Sequence, residues 1–255
     1  MDDQTIIFLL AVIMFAGALA FGYIPLGFRF SHTRLEQFMA LGAGVLIGSA
    51  FLVIIPEGLE LTLGAAVGIA PMFLGGAILA GFTLMLLLEF FGLPHAVHHK
   101  EDRELLSLSA TIGLVIHASV DGLALGASVT SSTETGLIVF AAIMLHKGPT
   151  AFGLASFLAH IGTGQARSRL YLLLFALTSP LVAILAFHTL RDSALASDAN
   201  VGLALLFSAG TFLYVATVDV LPEVHSHDQE GESPTSFVIL GMLLVLLVAL
   251  LGPGA

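Results

Sequence analysis

Eight apolar runs, each near the roughly 20 residues a helix needs to cross a hydrocarbon layer, constrain this chain more than any other feature. They occupy residues 6–28, 38–60, 71–93, 105–129, 136–160, 169–190, 200–221 and 237–252, with polar or Gly/Pro-marked breaks between them. Only 10% of the 255 residues are charged, against about 25% in a soluble domain. The predicted fold is therefore an all-α integral membrane protein, one transmembrane domain of eight spans over residues 1–255. The first run follows Asp2 and Asp3 rather than basic residues and has no small-residue cleavage site, so it is read as a span.

Charge sets orientation and removes several classes of partner. The net charge of -10 argues against nucleic acid and against anionic lipid as a ligand. No cysteine is present, which excludes disulfides, thiolate metal sites and Cys nucleophiles. With the N-terminus outside, Arg29, Arg34, Lys100, Arg103, Arg167 and Arg169 fall on the cytoplasmic side and Arg191 alone outside. That is the positive-inside pattern, and it predicts that both termini lie outside.

An internal repeat is visible. Span two reads Gly42-Ala-Gly44 and reaches Pro56-Glu57; span seven reads Ser208-Ala-Gly210 and reaches Pro222-Glu223. Twelve positions separate glycine from proline in both, from 44 to 56 and from 210 to 222. An even and an odd span run in opposite directions, so the pattern predicts inverted repeats of spans one to three and six to eight around a central pair, a 3+2+3 arrangement.

That central pair carries polar groups where lipid is expected: His117 and Asp121 in span four, His146 and Lys147 in span five. A charged side chain at the bilayer centre costs about 2.5 to 3.5 kcal/mol on insertion scales, so such groups face a bundle interior and have partners. Consecutive antiparallel spans bring His117 and His146 to one depth, and the i, i+4 spacing puts Asp121 on the same face as His117. Two neutral imidazoles and a carboxylate suit a borderline divalent cation such as Zn2+. The alternative is a structural network of hydrogen bonds and ion pairs tying the two spans together. Pro149 frees the carbonyl of Leu145 beside the histidine, either as a further cation contact or as an ordinary kink. Gly122 and Gly126, spaced G-x-x-x-G, predict close helix packing.

Other candidates lie off the midplane. Glu57, Asp219 and Glu223, in or beside the repeated corners, are candidate access ligands for the ion, whereas Glu60 and Glu89 read as solvated helix ends. His160 and His188 read as interfacial packing groups. The loop residues His95, His98, His99, His225 and His227 read as exchangeable contacts or as solvated side chains.

The H-A-x-x-D-G of span four, the H-K-x-P-x-A-F-G of span five and the S-A-G-T-F-L-Y-V-A-T-V-D-V-L-P-E of span seven resemble the ZIP (Zrt/Irt-like) metal-ion transporters. The likeness runs from span two through span seven and is strongest to the branch containing the ninth mammalian member. It implies eight spans arranged three, two and three, outside termini, and transport of Zn2+ or similar ions toward the cytoplasm. His117, Asp121 and His146 fall on metal-binding positions of that pattern. Where many relatives carry Asn, an acid and Glu, this chain has Ala118, Lys147 and Thr150, which argues for one metal, with the Lys147 ammonium as a tethered cation in the second place.

The empty site, with Asp121 and Lys147 cancelling, is near neutral. Ion binding is therefore expected to be coupled to proton loss from Lys147 or to recruitment of Glu57 or Asp219. Zn2+ is the expected cargo, with Fe2+, Mn2+ and Cd2+ as further candidates, the plasma or cytoplasmic membrane the expected location, and a homodimer the candidate assembly. Two rival readings are a zinc-dependent intramembrane hydrolase, for which no HExxH exists, and a metal-sensing membrane receptor.

Overall fold

The computed structural model describes residues 2–28, 30–65, 68–92, 103–191, 193–226 and 235–251. Its regular elements are α1 (Asp3–Gly27), α2 (His32–Ser49), α3 (Ile55–Gly64), α4 (Pro71–Gly92), α5 (Arg103–Ser131), α6 (Thr133–His160), α7 (Gln165–Leu190), α8 (Asp198–Tyr214), α9 (Leu221–Ser226) and α10 (Thr235–Leu251). Among the described residues, seven helical rods are long and apolar enough to cross a membrane, and α10 is a shorter apolar helix. α2 runs into α3, and α8 into α9, through π-helical segments at Ala50–Ile54 and Val215–Val220.

Several rods begin earlier than their apolar runs. α2 starts at His32, where Ser31 caps the Arg34 N–H; α7 starts at Gln165 and α8 at Asp198. Those first turns are polar, so hydropathy does not register them, yet the backbone closes its hydrogen bonds there all the same.

The surface is apolar where it would meet lipid. Phe8, Val12, Met72, Phe73, Leu79, Leu185, Leu243 and Leu247 are all exposed. In such a medium burial of oil does not drive association, so the rods pack through small residues and backbone contact. α5 lies on α7 and α6, α1 on α6 and α7, α4 on α8, and α2 on α10 and α6. A Cβ at Gly122 would sit 2.5 Å from the Ser179 carbonyl oxygen, so the G-x-x-x-G face of α5 is pressed against the backbone of α7.

The two corners paired by sequence share a local form. Each π segment ends two residues before the proline, at Ile54 before Pro56 and at Val220 before Pro222. The residues closing them, Ile55 and Leu221, bond back to Ala50 and Ala216, five positions away rather than four. Proline supplies no N–H, so the ladder must lose a bond at this point; widening the preceding turn accommodates that loss. Gly44 and Gly210 also behave alike. A Cβ at either would run into a carbonyl, Val238 of α10 for Gly44 and Ile78 of α4 for Gly210.

Candidate metal centre

His117, Asp121 and His146 come together in the interior, at 1%, 0% and 1% exposure. His117 and Asp121 are one turn apart on α5, and α6 brings in His146 from the adjoining rod. Asp121 Oδ2 lies 3.2 Å from His117 Nε2 and 3.3 Å from His146 Nε2. One ligand atom from each residue lies within 4.8 Å of the others. Two donors about 2.05 Å from a tetrahedral Zn2+ would stand roughly 3.3 Å apart, which is the spacing seen at Asp121.

The neighbours decide where the ring protons are. His146 Nδ1 is 2.9 Å from the Ala142 carbonyl, which can only accept, so Nδ1 carries the hydrogen and Nε2 keeps a lone pair. His117 Nδ1 lies 2.9 Å from Ser208 Oγ, whose own proton is given to Asp121 Oδ1 at 3.0 Å. The nearby Thr211 hydroxyl donates to the Ser208 carbonyl at 2.7 Å. Ser208 is left to accept from Nδ1, and His117 Nε2 again keeps a lone pair, with no hydrogen-bond partner. Two nitrogen lone pairs and a carboxylate oxygen thus converge with no donor between neutral rings. Acceptors this close repel unless a positive charge lies among them. This outer arrangement is also what a metal-ligating histidine requires, since the second ring nitrogen fixes tautomer and orientation.

Phe212 closes the group on the α8 side, its ring centroid 4.3 Å from that of His117 and 5.5 Å from that of His146. Lys147, fully buried, turns the other way. Its ammonium donates to Ser179 Oγ at 2.5 Å and lies 4.1 Å from the centre of the Phe175 ring. Ser179 Oγ donates in turn to the Ala118 carbonyl at 2.7 Å. Thr150 spends its hydroxyl on the His146 carbonyl at 2.6 Å. Leu145 and Pro149 line an apolar groove together with Phe21, Phe152 and Val245.

The off-midplane candidates stand apart from this group among the described residues. Asp219 is in the second π segment, eleven residues beyond Ser208 and about 16 Å along the helix; it is buried and its Oδ2 has no hydrogen-bond partner. Glu57 is half-buried in the first turn of α3. Glu89 accepts a hydrogen bond from the Tyr214 hydroxyl. His160 is buried, and His188 is exposed with its ring against Phe187. The side chains of Glu223 and His225, and the whole of His95, His98, His99 and His227, lie outside the described residues.

Ser208, Thr211, Phe212, Ser179 and Phe175 are site partners that the sequence reading missed. Ser208, Thr211 and Phe212 carried a signal, as the first, fourth and fifth residues of the span-seven string, while Ser179 and Phe175 carried none.

The ZIP zinc transporter family profile matches residues 93–249. The chain belongs to that family. It is 40% identical to zinc transporter ZIP9-B of Xenopus laevis, over 98% of this chain and 99% of the relative, and 43% identical to zinc transporter ZIP9 of Micropogonias undulatus, over 91% and 90%. A more distant relative, zinc transporter zipt-7.2 of Caenorhabditis elegans, is 27% identical over 58% of this chain and 33% of its own length. ZIP membership makes the chain a multi-pass membrane transporter of metal ions rather than an enzyme.

Proposed function

We propose that this ZIP protein carries Zn2+ toward the cytoplasm through a single midplane site made by His117, Asp121 and His146. The observation that carries the reading is the meeting of two imidazole nitrogens and a carboxylate oxygen, buried within two membrane-crossing helices, with each nitrogen 3.2 or 3.3 Å from the oxygen, close to the spacing of two ligands on a tetrahedral ion. Fe2+, Mn2+ and Cd2+ fit the same nitrogen and oxygen donors, and the lack of thiolate disfavours Cu+.

Eight spans in a 3+2+3 inverted repeat, with outside termini, are supported by the matched corners and by the paired contacts. α2 on α10 mirrors α8 on α4, and α1 on α6 mirrors α7 on α5. Alternating access then moves the pair α5 and α6 relative to the repeats. A membrane-embedded ion needs further negative charge in transit. Glu57 toward the outside and Asp219 and Glu223 toward the inside supply it, and the unpartnered Asp219 oxygen favours recruitment of that residue. A single metal is favoured over two because Ala118 and Thr150 offer no carboxylate; the Lys147 ammonium, expected in the second place, instead faces Ser179 and Phe175 on α7. The plasma membrane is the proposed location, and a homodimer the proposed assembly.

Uptake of radiolabelled zinc into proteoliposomes tests this. His117→Ala and His146→Ala are expected to abolish saturable flux while the protein stays folded. Wild-type flux in either variant would replace the transport site by the structural network.

A further inference from the structure

Serines and threonines inside these helices mostly spend their proton on a carbonyl three or four residues back, as Thr62, Thr111, Ser119, Ser128, Thr150 and Thr217 do. Ser49 does not. It is wholly buried, and its hydroxyl has no hydrogen-bond partner. It is also the last residue of α2 before the π segment.

Its position follows from one close crossing. A Cβ at Gly42 of α2 would stand 3.0 Å from the Cα of Gly153 on α6. Spans two and five run in opposite directions. Ser49 is seven residues past Gly42, and His146 is seven residues before Gly153, so both are about 10.5 Å from the crossing on the same side. Seven residues are nearly two full turns, so each also stays on the face that meets the other helix. Ser49 thus faces α6 at the level of His146, with its oxygen uncommitted. A tetrahedral ion on the triad has one position left for an oxygen. Ser208 is not free to fill it, because its hydroxyl already serves His117 and Asp121.

We propose that Ser49 is a further contact for the transported divalent cation, its hydroxyl oxygen reaching the ion directly from the α2 side. The inference rests on the triad being the transport site, and its test separates the two. The chain has no cysteine, so Ser49→Cys introduces a unique thiol of nearly the same size.

Zinc is expected to slow modification of that thiol by a small methanethiosulfonate by at least about 10-fold. Titration of the same variant with Co2+ is expected to give a sulfur-to-cobalt charge-transfer absorption absent from wild type. Ser156→Cys is the control: the Ser156 hydroxyl is likewise buried and unpartnered, but it lies ten residues from His146, about 15 Å. It should show no charge-transfer absorption. Cobalt bound by the triad without a thiolate band in Ser49→Cys overturns the Ser49 contact and leaves the triad standing, and it decides the matter even if the thiol resists the reagent. Equal cobalt affinity in wild type and Asp121→Ala would overturn the triad itself.

Discussion

The metal group sits between two walls of unlike construction. On one side, α5, α6 and α7 are joined by a polar chain running from Lys147 through Ser179 to the Ala118 carbonyl. This chain begins beside His146 and ends beside His117, so it links the two ligand positions round the back of the site. On the other side, α2 and α8 lean on α10 and α4 through glycine, and each runs on into a π segment. A π turn carries one residue more than its neighbours and changes register at small cost. The polar wall fixes the ligands, while the opposite wall is the one whose backbone has a built-in place to yield. Ser208 is where they meet, holding both His117 and Asp121 from the yielding side.

The largest expected effect falls on the fixed wall. Asp121 is the one carboxylate of the proposed triad and lies against both imidazoles, so Asp121→Ala should lower zinc uptake by at least about 100-fold, beyond what loss of an outer-shell partner usually costs. Proteoliposome flux at saturating zinc checks this. Retained flux would mean that the cation is held from the α2 and α8 side, and the contrast between walls would be reversed.

Ser208→Ala addresses the junction. It removes the hydroxyl that accepts from His117 Nδ1 at 2.9 Å and donates to Asp121, leaving Nδ1 only the Ser208 carbonyl at 3.3 Å and the Thr211 hydroxyl at 3.5 Å, with all three triad side chains in place. Outer-shell losses of this kind cost about 10–100-fold in metal affinity, so the apparent KM for zinc should rise about 10-fold with the protein still folded. An unchanged KM would show that α5 and α6 orient their own ligands without help.

How much of this could be read from the chain depended on whether the cause was local. His117 and Asp121 are visible because four residues make one turn and because charge is conspicuous in an apolar run. The π segments leave no such mark, although the prolines that accompany them do. Ser179 and Phe212 reach the site from helices distant in sequence, and neither residue type is unusual in a membrane span. Lys147 and Asp121, whose charges cancel on counting, do not face each other: Asp121 lies against the two histidine Nε2 atoms, and Lys147 faces α7. Sequence supplies the charges but not the rotation that separates two adjacent residues, about 100° on a helix.

Packing offers a test that treats both walls alike. Gly122 and Gly210 both lie against the backbone of a neighbouring helix. Gly122→Val and Gly210→Val should each destabilise the fold by about 1–3 kcal/mol through overpacking, read as a lower Tm in detergent. Destabilisation confined to Gly122→Val would fit a yielding α8 wall that takes up the added methyl groups; equal losses would restrict its compliance to the π turns.

The smallest effect concerns the polar chain itself. Ser179→Ala removes the acceptor for a buried ammonium and the donor to the Ala118 carbonyl in one step. A hydrogen bond to a charged group contributes about 1.5–3 kcal/mol. The ammonium keeps its contact with the Phe175 ring, which retains part of its stabilisation, so the loss should fall near the lower end. If the chain holds the ligand helices together, Lys147→Met should destabilise through the same bond, and the double variant should lose less than the sum of the two singles. A double-mutant cycle on Tm-derived stabilities isolates that coupling. Additive losses would mean that Lys147 and Ser179 act separately, and that the rigidity of the fixed wall comes from the glycine seam between α5 and α7.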